Sequence, residues 1–354
     1  MVAMSGGVDS SVAAARLVEQ GHEVVGVTMK LWGGESDTGC CSVSDVDDAR
    51  RVAQQLGIPH HVWTFTDDFE QRVVEPYVEA HRTGVTPNPC IECNRHLKFD
   101  RMLRRARAVG FDTVATGHHA RIVEGPDGVR RLGRGADRAK DQSYVLYVLG
   151  PEQLAHTLLP VGELTKDEVR AEAARRGLRT ARKPDSQDVC FITSGAGRSG
   201  FLSRRVPLHP AAVVDADGRE LGTVEAVELV TVGQRRGLGL PGGGEPRYVT
   251  AVDVPRRRVT VGPAADLEVD RAELGTMVWA AGPVEGPVLA QCSAHGVPRP
   301  ARVVPGGAGG DGNGDASTAT VVFDRPQRRV AVGQSVVLYD PGTDLVVGGG
   351  VVRV

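Results

Sequence analysis

Two sets of residues in this chain have the types and spacing that chemistry requires. The first is Ser5-Gly6-Gly7-Val8-Asp9-Ser10, six residues between a short apolar start and a helix-patterned run over residues 11–20. Two glycines let the backbone approach a ligand without Cβ obstruction and turn its N–H groups toward it. The unpaired N–H groups and positive dipole end of the helix that follows offer a site for an anion such as pyrophosphate. Ser5 and Ser10 add hydroxyl donors. The same string also fits a capped helix after a glycine turn, because Asp9 and Ser10 are ordinary N-cap residues. No G-x-x-x-x-G-K-[S/T] occurs, which disfavours a Walker-type kinase or GTPase site.

The second set is the cysteines, at Cys40, Cys41, Cys90, Cys93, Cys190 and Cys292. In a cytosolic enzyme, reactivity or metal binding is considered before a disulfide framework. Thr86-Pro87-Asn88-Pro89-Cys90-Ile91-Glu92-Cys93-Asn94 places a C-x-x-C in a proline-stiffened loop just before a basic helix expected from Leu97. A thiol near a helix N-terminus has a lowered pKa and more thiolate at neutral pH. Lys183-Pro184-Asp185-Ser186-Gln187-Asp188-Val189-Cys190-Phe191-Ile192 carries the other cysteine, polar and acidic before it and apolar after. Three chemistries fit. Cys90 and Cys93 with Cys40 and Cys41 could hold zinc. Cys90, Cys93 and Cys190 could ligate an iron–sulfur cluster with one iron open to a sulfur substrate. Cys93 and Cys190 could carry and release sulfur by persulfide and disulfide exchange. Cys292, and Cys40 and Cys41 as well, also fit as small buried or incidental residues.

The elements that must position these groups fall into two textures. Up to about residue 192 strands and helices alternate: strands over residues 23–29, 60–65 and 113–116, helices over 46–56 and 97–109. Such alternation predicts an α/β doubly wound parallel sheet with its ligand at the carboxyl ends of the strands. After Phe191 the segments 212–214, 247–253, 257–261, 320–323 and 335–338 are short, valine-rich and separated by Gly, Pro and Asp turns. That is the texture of β-barrel or β-sandwich units. Residues 306–317, rich in Gly and Asp, read as a disordered insertion loop. With 354 residues, 41% hydrophobic and 24% charged, the chain can bury two or three cores. No stretch approaches the roughly 20 apolar residues of a membrane span and no signal peptide opens the chain, so a bacterial-type cytoplasm and no membrane partner are expected. Net charge is only −2. The arginines cluster, however, at Arg101, Arg104, Arg105 and Arg107 and again from Arg121 to Lys140, a pattern that fits either phosphate-backbone binding or solvated helix faces.

S-G-G-x-D-S resembles the PP-loop of the ATP pyrophosphatases, which adenylate an oxygen and release pyrophosphate. Only four residues precede it, fewer than the usual buried first strand needs, so the expectation is a start placed several residues late. Five segments in order, Met4 to Ser11, Thr86 to Asn94, Ala115-Thr116-Gly117-His118-His119-Ala120-Arg121, Lys140-Asp141-Gln142-Ser143-Tyr144 and Lys183 to Ile192, resemble one family, the tRNA-specific 2-thiouridylases. Gly233-Gln234-Arg235-Arg236-Gly237-Leu238-Gly239 and Val332-Gly333-Gln334 extend the resemblance over nearly the whole chain.

The resemblance implies a PP-loop catalytic domain over residues 1–198, a small central domain over 199–265 and a C-terminal tRNA-binding β-barrel over 266–354. It implies ATP, with Mg²⁺ to neutralise the triphosphate and Asp9 as a contributor, and sulfur transfer to C2 of the wobble uridine in a tRNA anticodon stem-loop. A sulfur-relay protein or a cysteine desulfurase would be the donor. Residue by residue, Ala3, Met4, Ser5, Gly6, Gly7, Val8, Asp9 and Ser10 form the ATP loop, and Met29 and Gly117 line the adenosine pocket. Asn88, Pro89 and Cys90 lie where the target base enters. His118 and Gln334 meet the tRNA, and Lys140, Asp141 and Gln142 approach the anticodon stem. Cys190 becomes the persulfide carrier and Cys93 the nucleophile that attacks it, releasing sulfide or leaving a Cys93–Cys190 disulfide. Two positions depart from the family pattern. Cys90 stands where many relatives carry Asp, which favours a three-cysteine cluster. Gln291-Cys292-Ser293-Ala294-His295 stands where relatives carry an Arg-Tyr-Arg run that contacts tRNA, so binding there is expected to be either weaker or made by Arg299 and Arg302. Two other classes remain: another PP-loop adenylating ligase, which would leave both cysteine motifs idle, and a non-enzymatic nucleotide- and RNA-binding module with a zinc knuckle.

Overall fold

Short apolar runs build the buried centre of a parallel sheet, Val2–Ala3, Gly26–Lys30 and Val114–Ala115, with the more exposed His60–Thr64 at one edge. The computed structural model describes residues 1–32, 42–125, 127–185, 189–192, 197–241, 244–306 and 316–353. These group into two units: residues 1–73, 89–193 and 342–347 in one, residues 74–88, 194–341 and 348–354 in the other.

The main elements of the first unit are β1 (Val2–Ala3), α1 (Val8–Glu19), β2 (Gly26–Lys30), α2 (Val43–Gln55), β3 (His60–Thr64), α3 (Pro89–Cys93), a π-helical section Asn94–Arg101, α4 (Met102–Ala108), β4 (Val114–Ala115), the hairpin β5 (Ala120–Glu124) and β6 (Arg130–Arg134), β7 (Thr157–Leu158) and α5 (Lys166–Arg175). The parallel sheet has the order β3-β2-β1-β4-β7, with Val2 opposite Gly26 on one side and Ala115 on the other. β1 is two residues long and lies at the centre of the sheet. Strand order reverses at β1, so the crevice at the carboxyl ends of β1 and β4 is the topological switch point, the place such sheets bind ligands. Val12, Ala13 and Ala14 of α1 and Val169 and Ala173 of α5 are fully buried in one cluster with Val2 and Ala115. α5 opens on a capping box, Thr165 accepting from Glu168 N while the Glu168 carboxylate accepts from Thr165 N.

The expected strands and helices of this unit are present with shifted ends. The largest shift is the helix expected at 97–109, whose helical run already begins at Pro89 because proline fits a first helical turn.

The second unit contains the helix Glu75–Arg82 and two β assemblies. β8 (Ala211–Val214), β9 (Glu220–Val224), β10 (Tyr248–Asp253) and β11 (Arg258–Gly262) form a sheet ordered β10-β11-β8-β9 around Val213, Val249 and Val259. β12 (Glu268–Trp279), β13 (Gly286–Gln291), β14 (Arg299–Pro305), β15 (Ala319–Arg328), β16 (Ser335–Tyr339) and β17 (Val346–Val352) close a barrel ordered β12-β15-β14-β13-β16-β17. Closure removes the exposed edges of an open sheet. The insertion loop expected between β14 and β15 falls largely on residues 307–315, outside the described residues. No helix among the described residues is long and apolar enough to cross a membrane.

Candidate active site

The loop after β1 owes its shape to close backbone approach. Gly6 has φ +71°, and a Cβ there would meet the Asp45 carbonyl oxygen of α2 at 2.2 Å, so only glycine fits. The Gly7 carbonyl accepts from Ser11 N at 3.2 Å and from the hydroxyls of Ser10 (3.2 Å) and Ser11 (2.8 Å), which fixes the entry to α1. Ser10 Oγ also accepts from Ser5 N at 3.2 Å. Of the eight residues assigned to the ATP loop, Met4 and Val8 put their side chains into the core, 2% and 3% exposed. Those two can offer a ligand main-chain atoms only, and the Met4 carbonyl already accepts from Thr28 Oγ1. Ser5 is exposed, and Gly7 and Asp9 are half-buried.

The other two residues assigned to the nucleotide stand at the same edge. Met29 lies near the end of β2, opposite Trp63 of β3, and is buried. Gly117 follows β4, and a Cβ on it would meet Ser10 N at 2.5 Å and Asp9 C at 2.6 Å. Its lack of a side chain lets the β4 loop lie directly on the start of α1.

A charged network crosses this edge. Lys166, the first residue of α5, donates through Nζ to Asp9 Oδ1 (2.8 Å) and Oδ2 (2.7 Å) and lies 3.0 Å from Asp185 Oδ1. His119 Nε2 donates to Asp9 Oδ1 at 3.0 Å. Asp185 also pairs with Lys140 at 2.9 Å and Arg170 at 2.7 Å. Burial works against ionised Asp9, but hydrogen bonds from His119 and Lys166 outweigh it and hold the carboxyl below its ordinary pKa. Asp185 is held lower still, burial again opposing and Lys140 and Lys166 prevailing. Lys183 Nζ donates to Asp45 (2.6 Å) and Asp48 (2.7 Å) of α2. Both charged residues that open the Cys190 motif are thus tied to elements framing the loop.

The fit to Mg²⁺ can be judged from Asp9. It is an ionised, half-buried carboxylate in the first turn of α1, and beside it His119 Nδ1 is buried without a hydrogen-bond partner among the described residues. One protein carboxylate with the rest supplied by phosphate and water is a normal Mg²⁺ site, so Asp9 fits once the Lys166 ammonium, now bonded to both its oxygens, moves off it. The iron–sulfur set does not: among the described residues, which include Cys90, Cys93 and Cys190, no three of His, Cys, Asp and Glu are close enough together to hold a metal ion. Cys40 and Cys41, the partners of the zinc alternative, lie outside the described residues.

Cys90 and Cys93 sit one turn apart within the helical run from Pro89, and Cys93 is buried while Cys90 is half-buried. The basic helix thus begins before both cysteines rather than after them. Cys190 is half-buried and followed by Phe191, whose ring packs against Phe69 (5.6 Å between centroids) and Trp32 (6.2 Å). Trp32 follows β2 and Phe69 follows β3, so aromatic packing holds the Cys190 segment at the carboxyl edge of the sheet.

Several residues assigned to tRNA have intramolecular partners. Asp141 accepts from Arg134 Nε, Gly135 N and Ser143 N and Oγ, and its side chain is 4% exposed. Gln142 Oε1 accepts from His119 N at 2.8 Å, so it positions the histidine that supports Asp9. Lys140 is half-exposed and paired with Asp185. His118 Nδ1 lies 2.7 Å from Thr116 Oγ1, and burial, aided by Lys98 and His119, keeps its pKa well below the ordinary value and the ring neutral. Gln334 donates to the Thr86 carbonyl and so pins the loop that precedes Asn88. Gln291 faces inward, accepting from Tyr339 Oη at 3.0 Å, and burial pushes the Cys292 thiol up to about 11. Arg299 and Arg302 on β14 are exposed. Among the residues that form the network, sequence reasoning passed over His119, Lys166 and Asp185 as site groups. One signal was legible: Lys166 is a cation in the first turn of a helix, where the dipole favours an anion.

A parallel sheet with a glycine loop and an acidic residue at its switch point, joined to a β sheet and a closed barrel, defines a HUP-type nucleotide-binding protein with β-rich extensions. Residues 1–194 match the "tRNA methyl transferase HUP domain", residues 199–263 the "tRNA methyl transferase PRC-barrel domain" and residues 313–352 the "Aminomethyltransferase beta-barrel domain". A tRNA-specific 2-thiouridylase MnmA from Roseiflexus sp. (strain RS-1) is 48% identical over 377 residues, covering 99% of this chain and 98% of that one. Proteins of the same description from Chloroflexus aurantiacus and Mycobacteroides abscessus are each 47% identical, covering 100% and 99% of this chain and 98% of their own. The chain belongs to the tRNA-specific 2-thiouridylase family.

Proposed function

We propose that this protein is an ATP-dependent tRNA-uridine 2-sulfurtransferase, which replaces the 2-oxygen of the wobble uridine with sulfur in the cytoplasm. The observation that carries the reading is the tie between the nucleotide loop and the Cys190 segment, made by Asp9, Lys166 and Asp185 at the switch point of the sheet.

The uridine 2-oxygen is a poor leaving group. Its attack on the α-phosphorus of ATP forms an O–P bond and expels pyrophosphate, leaving C2 bonded to an adenylated oxygen. Backbone N–H groups of residues 5–10 and the N-terminus of α1 hold the phosphates. Gly117 lets the β4 loop close on that turn, and Met29 offers an apolar wall to adenine. Mg²⁺ supplies charge neutralisation of the triphosphate, with Asp9 as the protein carboxylate that would hold it.

Sulfur arrives as a persulfide on Cys190, delivered by a sulfur-relay protein or a cysteine desulfurase. In one route Cys93 thiolate attacks Cys190 Sγ, the S–S bond of the persulfide breaks, and hydrosulfide leaves to attack C2. In the other the terminal sulfur attacks C2 directly and Cys93 then displaces it from Cys190. Either way AMP departs with the former 2-oxygen, and a Cys93–Cys190 disulfide remains for a thiol reductant to reopen. Asn88, Pro89 and Cys90 admit the splayed base, since a loop base is the accessible part of a folded RNA. Exposed Arg299 and Arg302, with His118, Gln334 and Lys140, would serve tRNA after rearrangement of the contacts described above.

The test is anaerobic incubation with unmodified tRNA, ATP, Mg²⁺ and a sulfur donor, followed by digestion and mass spectrometry for 2-thiouridine. Product that disappears in both Cys93→Ala and Cys190→Ala is expected. ATP-to-AMP turnover without 2-thiouridine in the parent protein would point to another PP-loop acceptor.

A further inference from the structure

Lys166 is nearly buried at a helix end that repels cations, and its ammonium has no spare donor. Its three N–H groups face three oxygens: Asp9 Oδ1 at 2.8 Å, Asp9 Oδ2 at 2.7 Å and Asp185 Oδ1 at 3.0 Å. One cation therefore joins the acidic residue of the phosphate loop to an acidic residue in the motif that carries Cys190. The two carboxylates depend on it unequally. Asp185 keeps Lys140 and Arg170 if Lys166 leaves, whereas Asp9 keeps only His119 among the partners shown.

Magnesium cannot join this arrangement unchanged. The ion bonds carboxylate oxygen at about 2.0–2.1 Å and demands near-octahedral geometry. An ammonium bonded to both oxygens of the same carboxylate competes for the lone pairs and repels the ion. Moving Lys166 off Asp9 resolves the conflict, and the phosphates that arrive with the metal give the displaced ammonium a new anion.

We propose that Lys166 is an exchangeable counter-ion, displaced from Asp9 and Asp185 when Mg²⁺–nucleotide binds, so that occupancy of the nucleotide site is coupled to the segment bearing Cys190. The proposal rests on the reading of residues 3–10 as the ATP loop and assigns Lys166 a positioning role. Sulfur chemistry at Cys190 then responds to the presence of ATP before any tRNA is consumed. Coupling of this kind is reciprocal, so the state of the Cys190 segment also alters nucleotide affinity.

Alkylation of Cys190 reads the coupling without turnover. Nucleotide-free full-length protein is treated with iodoacetamide and modification of Cys190 is followed by peptide mass spectrometry, with and without a non-hydrolysable ATP analogue and Mg²⁺. In the parent protein the pair of ligands changes the rate by about fivefold or more, the low end of ordinary site-to-site coupling, and the analogue with chelator does not. Lys166→Met abolishes the response while calorimetry still shows analogue binding, and Asp185→Asn abolishes it as well. Lys166→Arg, which keeps the cation, retains it. A parent protein that binds the analogue with Mg²⁺ yet alkylates at one unchanging rate overturns the proposal, as does a full response in Lys166→Met or in Asp185→Asn. Calorimetry that finds no nucleotide binding to the parent overturns the ATP-loop reading, and this proposal with it.

Discussion

Gly117→Ala isolates the packing that holds the phosphate loop. The new Cβ would meet Ser10 N at 2.5 Å, Asp9 C at 2.6 Å and Asp9 Cβ at 2.9 Å, and none of these is the free end of a flexible side chain. Ordinary contact begins at 3.4 Å. The start of α1 must therefore retreat by about 0.9 Å or the β4 loop must lift by as much, an overpacking strain worth about 1–3 kcal/mol. A shift near 1 Å in a positioning element costs about 100-fold in rate. The expected result is a folded protein with Tm lowered by about 2–4 °C per kcal/mol and tRNA-dependent pyrophosphate release reduced about 100-fold. Gly7→Ala is the matched control for stability, since its Cβ would find only Ser5 Oγ, at 3.4 Å. It should unfold like the parent, so any nucleotide defect it shows comes from crowding the ligand. A Gly117→Ala protein with parental Tm and parental pyrophosphate release would refute the steric argument.

Cys190→Ser should end thiolation while leaving tRNA-dependent ATP-to-AMP conversion measurable; full 2-thiouridine formation by that variant would sink the persulfide mechanism. His81, 3.1 Å from the Glu228 carbonyl, has its pKa lowered by burial from 6.5 to about 4. The unfolded chain takes up a proton below 6.5 that the folded protein refuses until about 4, so stability is full above that window and falls as pH drops through it, by about 3 kcal/mol at most. Urea midpoints across this range should flatten in His81→Gln, and parallel curves for parent and variant would contradict the assignment. Asp185 has the opposite chemistry but the same acid limb: its folded pKa lies below 3.8, so its contribution is present above 3.8 and is lost as pH falls toward the lowered value. The stability difference between parent and Asp185→Asn should be constant from neutrality to about pH 5 and shrink below it; a difference that grew on acidification would show that another group is responsible.

The glycine loop was legible because Gly6 has a local reason to be there, a positive φ and a close approach that no other residue tolerates. The sheet was legible from alternation, and β1 lies at its centre, where Val2 pairs with Gly26 on one side and Ala115 on the other. Helix Val43–Gln55 begins at the Ser42 cap rather than at residue 46, because Ser42 Oγ accepts from Asp45 N and extends the first turn. What sequence could not convey was partnership across distance. Asp141 and Gln142 were expected at the anticodon stem, and only tertiary structure shows one satisfying the β6 end and the other holding His119. Lys166 carries no site signal of its own in the sequence beyond its place in a first helical turn, and its role emerges only when Asp9, distant in sequence, is brought to it.

The grouping of residues 74–88 with the β-rich unit bears on how the chain is made. That unit's helix, Glu75–Arg82, leaves the ribosome well before Glu228 and Phe201, the residues that receive His81 and Tyr77. Nascent chains ordinarily fold domain by domain from the N-terminus, but here an early segment must wait for a late one while Pro89 and the residues after it are already committed to the sheet. Cutting the gene near residue 194 would therefore not yield a self-sufficient nucleotide-binding piece; it would leave an amphipathic helix with Tyr77 and His81 uncovered, and the half-made protein on the ribosome passes through that same exposed state.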